Sequence, residues 1–87
     1  MKVVIVYDVN IERLDAVRHI LKQYLAWIQN SVFEGELSEG MLEEIRLKIF
    51  DIIDPEVDSV IVYTINNPSW MGKKIWGREK GMSDNVL

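Results

Sequence analysis

The chain alternates between two kinds of hydrophobic pattern. Residues 2–7 open with a continuous β-branched run, "KVVIVY", of the sort a central strand shows when both of its faces are covered. A helical pattern follows. Ile11, Leu14, Val17, Leu21 and Tyr24 or Leu25 recur at spacings of three and four, which predicts one apolar stripe. Asn10 is placed to cap that helix, with Glu12 and Asp15 near the positive end of its dipole.

Residues 27–38, "WIQNSVFEGELS", read as extended, either as two short strands or as one strand with a bend. Ser38 caps a second predicted helix whose buried face carries Leu42, Ile45, Ile49 and Ile52, with Glu44 and Lys48 as an i,i+4 pair on its wet side. Asp54-Pro55 is expected to stop it. "SVIVYTI", residues 59–65, is a second strongly apolar strand. Beyond Asn66-Asn67-Pro68 the chain turns polar, and only "KKIW" (73–76) reads as a short strand.

This order predicts an α+β fold: a ferredoxin-like βαββαβ sandwich, two helices on one face of a four-stranded antiparallel sheet, with a C-terminal addition. It is one domain, with 1–66 as the core. Residues 67–87 cannot build a core of their own and are expected to pack on something else.

Composition sharpens the picture. Eighty-seven residues bury a modest fraction of their surface, yet 48% are hydrophobic and three are tryptophan, more than a small monomer needs. That excess points to self-association. With no cysteine, disulfides and thiolate metal sites are excluded, and a lone His19 supports neither a zinc site nor a triad. No signal peptide or membrane span is visible, so a soluble, cytoplasmic protein with no membrane partner is expected. The net charge of −4 argues against indiscriminate nucleic-acid binding, although Lys73, Lys74, Arg78 and Lys80 gather within eight positions beside Trp70 and Trp76. That strip could meet phosphates; alternatively its tryptophans pack an interface. Arg13 and Arg18 on the first helix could also meet phosphates.

Asp8 stands out. A carboxylate at the carboxyl end of the most hydrophobic strand can serve a turn, or it can hold Mg²⁺ for attack on a phosphodiester. One carboxylate per chain is thin for such a site, and two copies facing each other across a dimer axis would supply the second.

"VVIVYDVN", the helix bearing Arg13 and Arg18, "WIQNSVFEGELS", "DSVIVYTI" and the glycine-bearing tail together resemble the smaller of the two universal CRISPR adaptation proteins, the CRISPR-associated endoribonuclease family. Its most specific piece is "IQNSVFEG" about twenty residues after "YDV". The resemblance implies a homodimer whose C-terminal segment, 67–87, pairs with the other subunit. It implies Asp8 as the catalytic Mg²⁺ ligand, and Ser31 and Phe33 join Arg13, Arg18, Lys73, Lys74 and Arg78 as candidate nucleic-acid contacts. It further implies spacer acquisition in antiviral defence, with the dimer bridging CRISPR integrase dimers and holding duplex DNA, and endonuclease action on single-stranded RNA or double-stranded DNA. The alternative is a structural adaptor that binds without cutting. Relatives often carry arginine where this chain has Trp27, and an aromatic where it has Asn30.

Overall fold

The computed structural model describes residues 1–67 and 70–79. It contains β1 (Lys2–Asp8), α1 (Ile11–Lys22), β2 (Ala26–Gln29), β3 (Val32–Glu36), α2 (Glu39–Phe50), β4 (Ser59–Asn67) and β5 (Trp70–Gly77). The five strands form one sheet in the order β2-β3-β1-β4-β5. Its first four strands have the ferredoxin-like order, and every pairing is antiparallel.

Strand alternation assigns the two faces. Val3, Ile5 and Tyr7 of β1 are buried with Phe33, Val60 and Val62 against Val17, Ile20 and Leu21 of α1 and Ile45 and Ile49 of α2. Both helices therefore cover one face. The other face carries Val4, Val6, Val32, Ile61, Tyr63, Ile65 and Ile75, all only half-buried, with Met71 60% exposed.

Both helix starts form as the local sequence dictates. The Asn10 side chain accepts from the Glu12 amide and Ser38 accepts from the Met41 amide. Three details differ from expectation. Ile11 is 84% exposed, because the first helical residue lies beyond the sheet that the rest of the stripe covers. The second helix ends at Phe50, and residues 51–57 form turns, with Asp54 accepting from the amides of Val57 and Asp58. Glu44 and Lys48 do not pair directly: Lys48 Nζ donates to the Tyr24 hydroxyl at 2.7 Å, and that hydroxyl donates to Glu44 Oε1 at 3.2 Å.

The extended segment resolves into two strands joined at Asn30-Ser31, where Asn30 takes φ of 42°. The C-terminal strand is longer than "KKIW" and pairs along β4 of its own chain, from Ser59↔Gly77 to Ile65↔Met71 and on to Asn67↔Trp70. Within the single chain, then, it is an integral fifth strand. Within the single chain Trp76 is buried there against Phe50 of α2, ring centroids 6.4 Å apart. Lys80 and residues 81–87 lie outside the described residues.

Candidate functional site: the carboxyl end of the first strand

Asp8 is the last residue of β1, opposite Ser59 of β4. It is exposed, and by alternation it lies on the sheet face that no helix covers, in line with Val4 and Val6. Tyr7, its neighbour, points the other way into the core, where its hydroxyl donates to the Asn30 carbonyl at 3.1 Å and accepts from Arg18 Nε at 2.9 Å. The Tyr7 amide in turn donates to the Ser31 carbonyl. The strand end that carries Asp8 is thus tied to the β2–β3 turn and to α1.

A second device fixes the loop just after Asp8. The Asp58 carboxylate, fully buried immediately before β4, accepts four hydrogen bonds: from the Asn10 amide at 2.9 Å, from the Asp54 amide at 2.9 Å, and from Arg13 Nε and Nη2 at 2.6 and 3.1 Å. Burial works to raise this carboxyl, but the Arg13 hydrogen bonds, the two backbone amides and the arginine charge outweigh it and pull it down to about 2. The Asp58 carbonyl also accepts from the Arg78 amide at 2.7 Å, so the exit of β5 ends on the same residue.

Of the residues expected at a nucleic-acid surface, the fold brings few together. Arg13 is a correction: its guanidinium is committed to Asp58 as a bidentate pair. Phe33 is another, fully buried because its register opposite Ile5 turns it toward the helices. Ser31 is half-buried in the β2–β3 turn, where its carbonyl accepts from the Tyr7 amide at 3.1 Å. The basic strip divides, since consecutive strand residues face opposite ways. Lys73 lies over the Tyr63 ring at 5.9 Å on the uncovered face. Lys74 instead lines a cleft of about 380 Å³ between α2 and the sheet, with Glu43, Arg46 and Trp76. Arg78 is exposed and donates to the Glu56 carbonyl.

Arg18 stays near the strand end and gains neighbours that sequence reasoning missed. Its guanidinium carbon lies 5.3 Å from the Trp27 ring centroid, and Lys22 Nζ lies 5.0 Å from the same centroid. Trp27, 49% exposed on the edge strand β2, stacks against Phe33 at 6.4 Å and 17° and donates Nε1–H to the Asn30 carbonyl at 2.9 Å. The i,i+4 spacing of Arg18 and Lys22 could have signalled a shared helix face. Nothing local in the sequence placed Trp27 beneath them, nor Asp58 beneath Arg13.

As to a metal, no group of three or more His, Asp or Glu side chains converges among the described residues. Among the described residues, the end of β1 offers the exposed carboxylate of Asp8 on the open face, while Glu34 and Glu36 lie toward the opposite end of the same strand pair. Mg²⁺ is commonly held by one or two carboxylates with waters completing its shell, so the donor set fits when two copies bring two Asp8 side chains together.

The fold defines a small ferredoxin-like α+β protein with an acidic strand end and an uncovered apolar face. The family model for CRISPR associated protein Cas2 matches residues 1–72. The chain is 45% identical over 84 residues to the CRISPR-associated endoribonuclease Cas2 3 of Thermodesulfovibrio yellowstonii, covering 97% of this chain and 96% of the relative. It is 41% identical to the Cas2 2 endoribonuclease of Archaeoglobus fulgidus, covering 92% and 87%. Among solved structures, a Cas2 crystal structure aligns over 100% of this chain and 98% of that one, with a TM-score of 0.74 and 41% identity. The Streptococcus pyogenes Cas2 crystal structure at pH 6.5 aligns over 76% and 87%, with a TM-score of 0.69 and 33% identity. The chain belongs to the CRISPR-associated Cas2 family. No helix among the described residues is long and apolar enough to cross a membrane.

Proposed function

We propose that this chain acts in CRISPR adaptation as a homodimeric, Mg²⁺-dependent endonuclease on single-stranded RNA or double-stranded DNA. The observation that carries the reading is the exposed carboxylate of Asp8 at the end of β1, beside a sheet face that stays apolar and uncovered in the single chain. Covering that face with a second copy would bury Val6, Ile61 and Tyr63 and bring two Asp8 side chains to one axis. Exchange of residues 67–87 between subunits belongs to this proposal. It would replace the β4–β5 ladder within one chain by the same ladder between two.

Mg²⁺ held by the two Asp8 carboxylates would supply charge to the phosphate oxygens and acidify water. The protein's own contribution is placement. Tyr7, packed in the core and hydrogen-bonded to Asn30 and Arg18, holds the strand end, and Asp58 holds the turn that follows. Arg18 offers charge on the helix side of the sheet, where it donates to the Tyr7 hydroxyl. Water would attack phosphorus and give up one proton to solvent, the bond to the leaving sugar oxygen would break, and that oxygen would take a proton from solvent.

A second reading, a non-catalytic adaptor between integrase dimers that binds duplex DNA, is favoured by one feature. Met41, Leu47 and Phe50 on α2 are exposed large apolar side chains away from the uncovered sheet face. A cleavage time course separates the two, using labelled single-stranded RNA and duplex DNA, wild type beside Asp8→Ala, with Mg²⁺ and with chelator. The nuclease reading expects cutting only by wild type with metal. Equal cutting by both proteins overturns it, and an intact dimer that cuts nothing leaves the adaptor.

A further inference from the structure

Three basic side chains of the described residues are ion-paired, and Lys48 and Lys73 each lie over a tyrosine ring of their own. Arg13 pairs with Asp58, Arg46 with Glu43 and Lys2 with Glu34. Arg18 and Lys22 have no carboxylate within ion-pair distance among the described residues. The fold nevertheless sets both over a single indole, each within 5.3 Å of the Trp27 centroid, so the two charges are no more than about 10 Å apart.

As a means of fastening α1 to the edge strand, this arrangement is uneconomical. One cation over the ring contributes about 0.5–1 kcal/mol at an exposed site. A second adds a similar attraction and offsets it with repulsion from the first, about 1 kcal/mol or less at such separations near water. What the pair does create is a patch of two cations in a protein whose net charge is −4. Arg18 is also oriented: its Nε is used by the Tyr7 hydroxyl, while its two terminal amino groups make no hydrogen bond to a described residue. A guanidinium fixed at Nε and backed by an indole is prepared to meet a tetrahedral oxyanion.

The geometry also decides against base stacking. Trp27 is half exposed, but its ring already contacts Phe33, Arg18 and Lys22. The indole is a mount for cations. We propose that Arg18 and Lys22, mounted on Trp27, form a phosphodiester-binding subsite that engages a nucleic-acid backbone without reading its bases. The inference rests on the nucleic-acid reading above and names a subsite within it. Trp27 acts through the two cations and is a positioning residue.

The test is fluorescence anisotropy in chelator, where nothing is cut, over a series of salt concentrations. The probes are a labelled 12-nucleotide uridylate and a labelled 12-base-pair DNA duplex. Each phosphate neutralised contributes about 0.7 to the slope of log affinity against log salt for a single strand. Arg18→Gln with Lys22→Gln should therefore reduce the uridylate slope by about 1.4 and weaken binding at low salt by about tenfold or more. Lys22→Gln alone, at an exposed position that carries no fold risk, should reduce it by about 0.7. Trp27→Leu should weaken binding, and Trp27→Phe, which keeps a ring under the cations, should restore most of it.

A reduced slope with either probe supports the subsite. An unchanged slope in Lys22→Gln and in the double variant, with wild type binding normally, overturns it and leaves the nuclease and adaptor readings intact. Failure of the wild type to bind either probe overturns the subsite together with the nucleic-acid reading.

Discussion

Arg13 Nε lies 2.6 Å from Asp58 Oδ2, and Nη2 lies 3.1 Å from Oδ1, so a residue in the first turn of α1 and the one immediately before β4 are clamped face to face. The same carboxylate caps the Asn10 and Asp54 amides. This clamp brackets the turn that leaves Asp8.

The clamp makes stability depend on acid. The Asp58 carboxyl falls from 3.8 to about 2 on folding, so its contribution is fully present above pH 4. It is lost as pH drops from about 4 through 2 and amounts to about 2 kcal/mol. Asp58→Ala should abolish this pH dependence and cost about 3 kcal/mol at neutral pH, since it strands Arg13 and two amides. In a domain of this size that lowers Tm by roughly 12–24 °C. Thermal unfolding of wild type and variant between pH 2 and 7 is the check. Equal slopes in both would remove Asp58 from its assigned role.

Gly77 should be irreplaceable. Its φ of 89° is a conformation that side chains disfavour, and a Cβ there would run into the Asp58 carbonyl. That carbonyl also receives the Arg78 amide. Gly77→Ala is expected to destabilise by roughly 1–3 kcal/mol. Amide exchange should be faster at Arg78 and along the end of β5 paired with Ser59 and Val60. Unchanged exchange would contradict the strain argument.

The uncovered sheet face should be the dimer surface. Ile61 sits on it between Val6 and Ile75 and is half-buried in the single chain. Ile61→Asp should shift the protein to monomer in sedimentation velocity with little loss of helix content, because the helix-facing core is untouched. A variant that still sediments as a dimer would move the interface elsewhere.

The sequence was most legible where the physics is local. Asn10 and Ser38 cap their helices because a cap depends only on the next three residues. Val3, Ile5 and Tyr7 announced the buried strand by type alone. Long-range pairings were hidden. Arg13 reads as a free helix cation until the fold brings Asp58, forty-five positions away, beneath it. Lys73 and Lys74 read as one basic strip, and only their membership of a paired strand shows that they face opposite sides. Phe33 sits within the most diagnostic stretch of the sequence, yet its register opposite Ile5 makes it core rather than surface. Trp27 was legible as a departure from its relatives, and its role beneath Arg18 and Lys22 emerged with β2 at the sheet edge.

The central claim is that two Asp8 carboxylates from two chains hold one divalent ion. Titrating the purified dimer with Mn²⁺, and following free ion by electron paramagnetic resonance, tests it directly. The account predicts one bound ion per two chains in wild type, displaced by excess Mg²⁺, and its loss in Asp8→Ala with the dimer intact. Stoichiometry unchanged by Asp8→Ala would contradict the account and remove Asp8 from any metal-dependent chemistry.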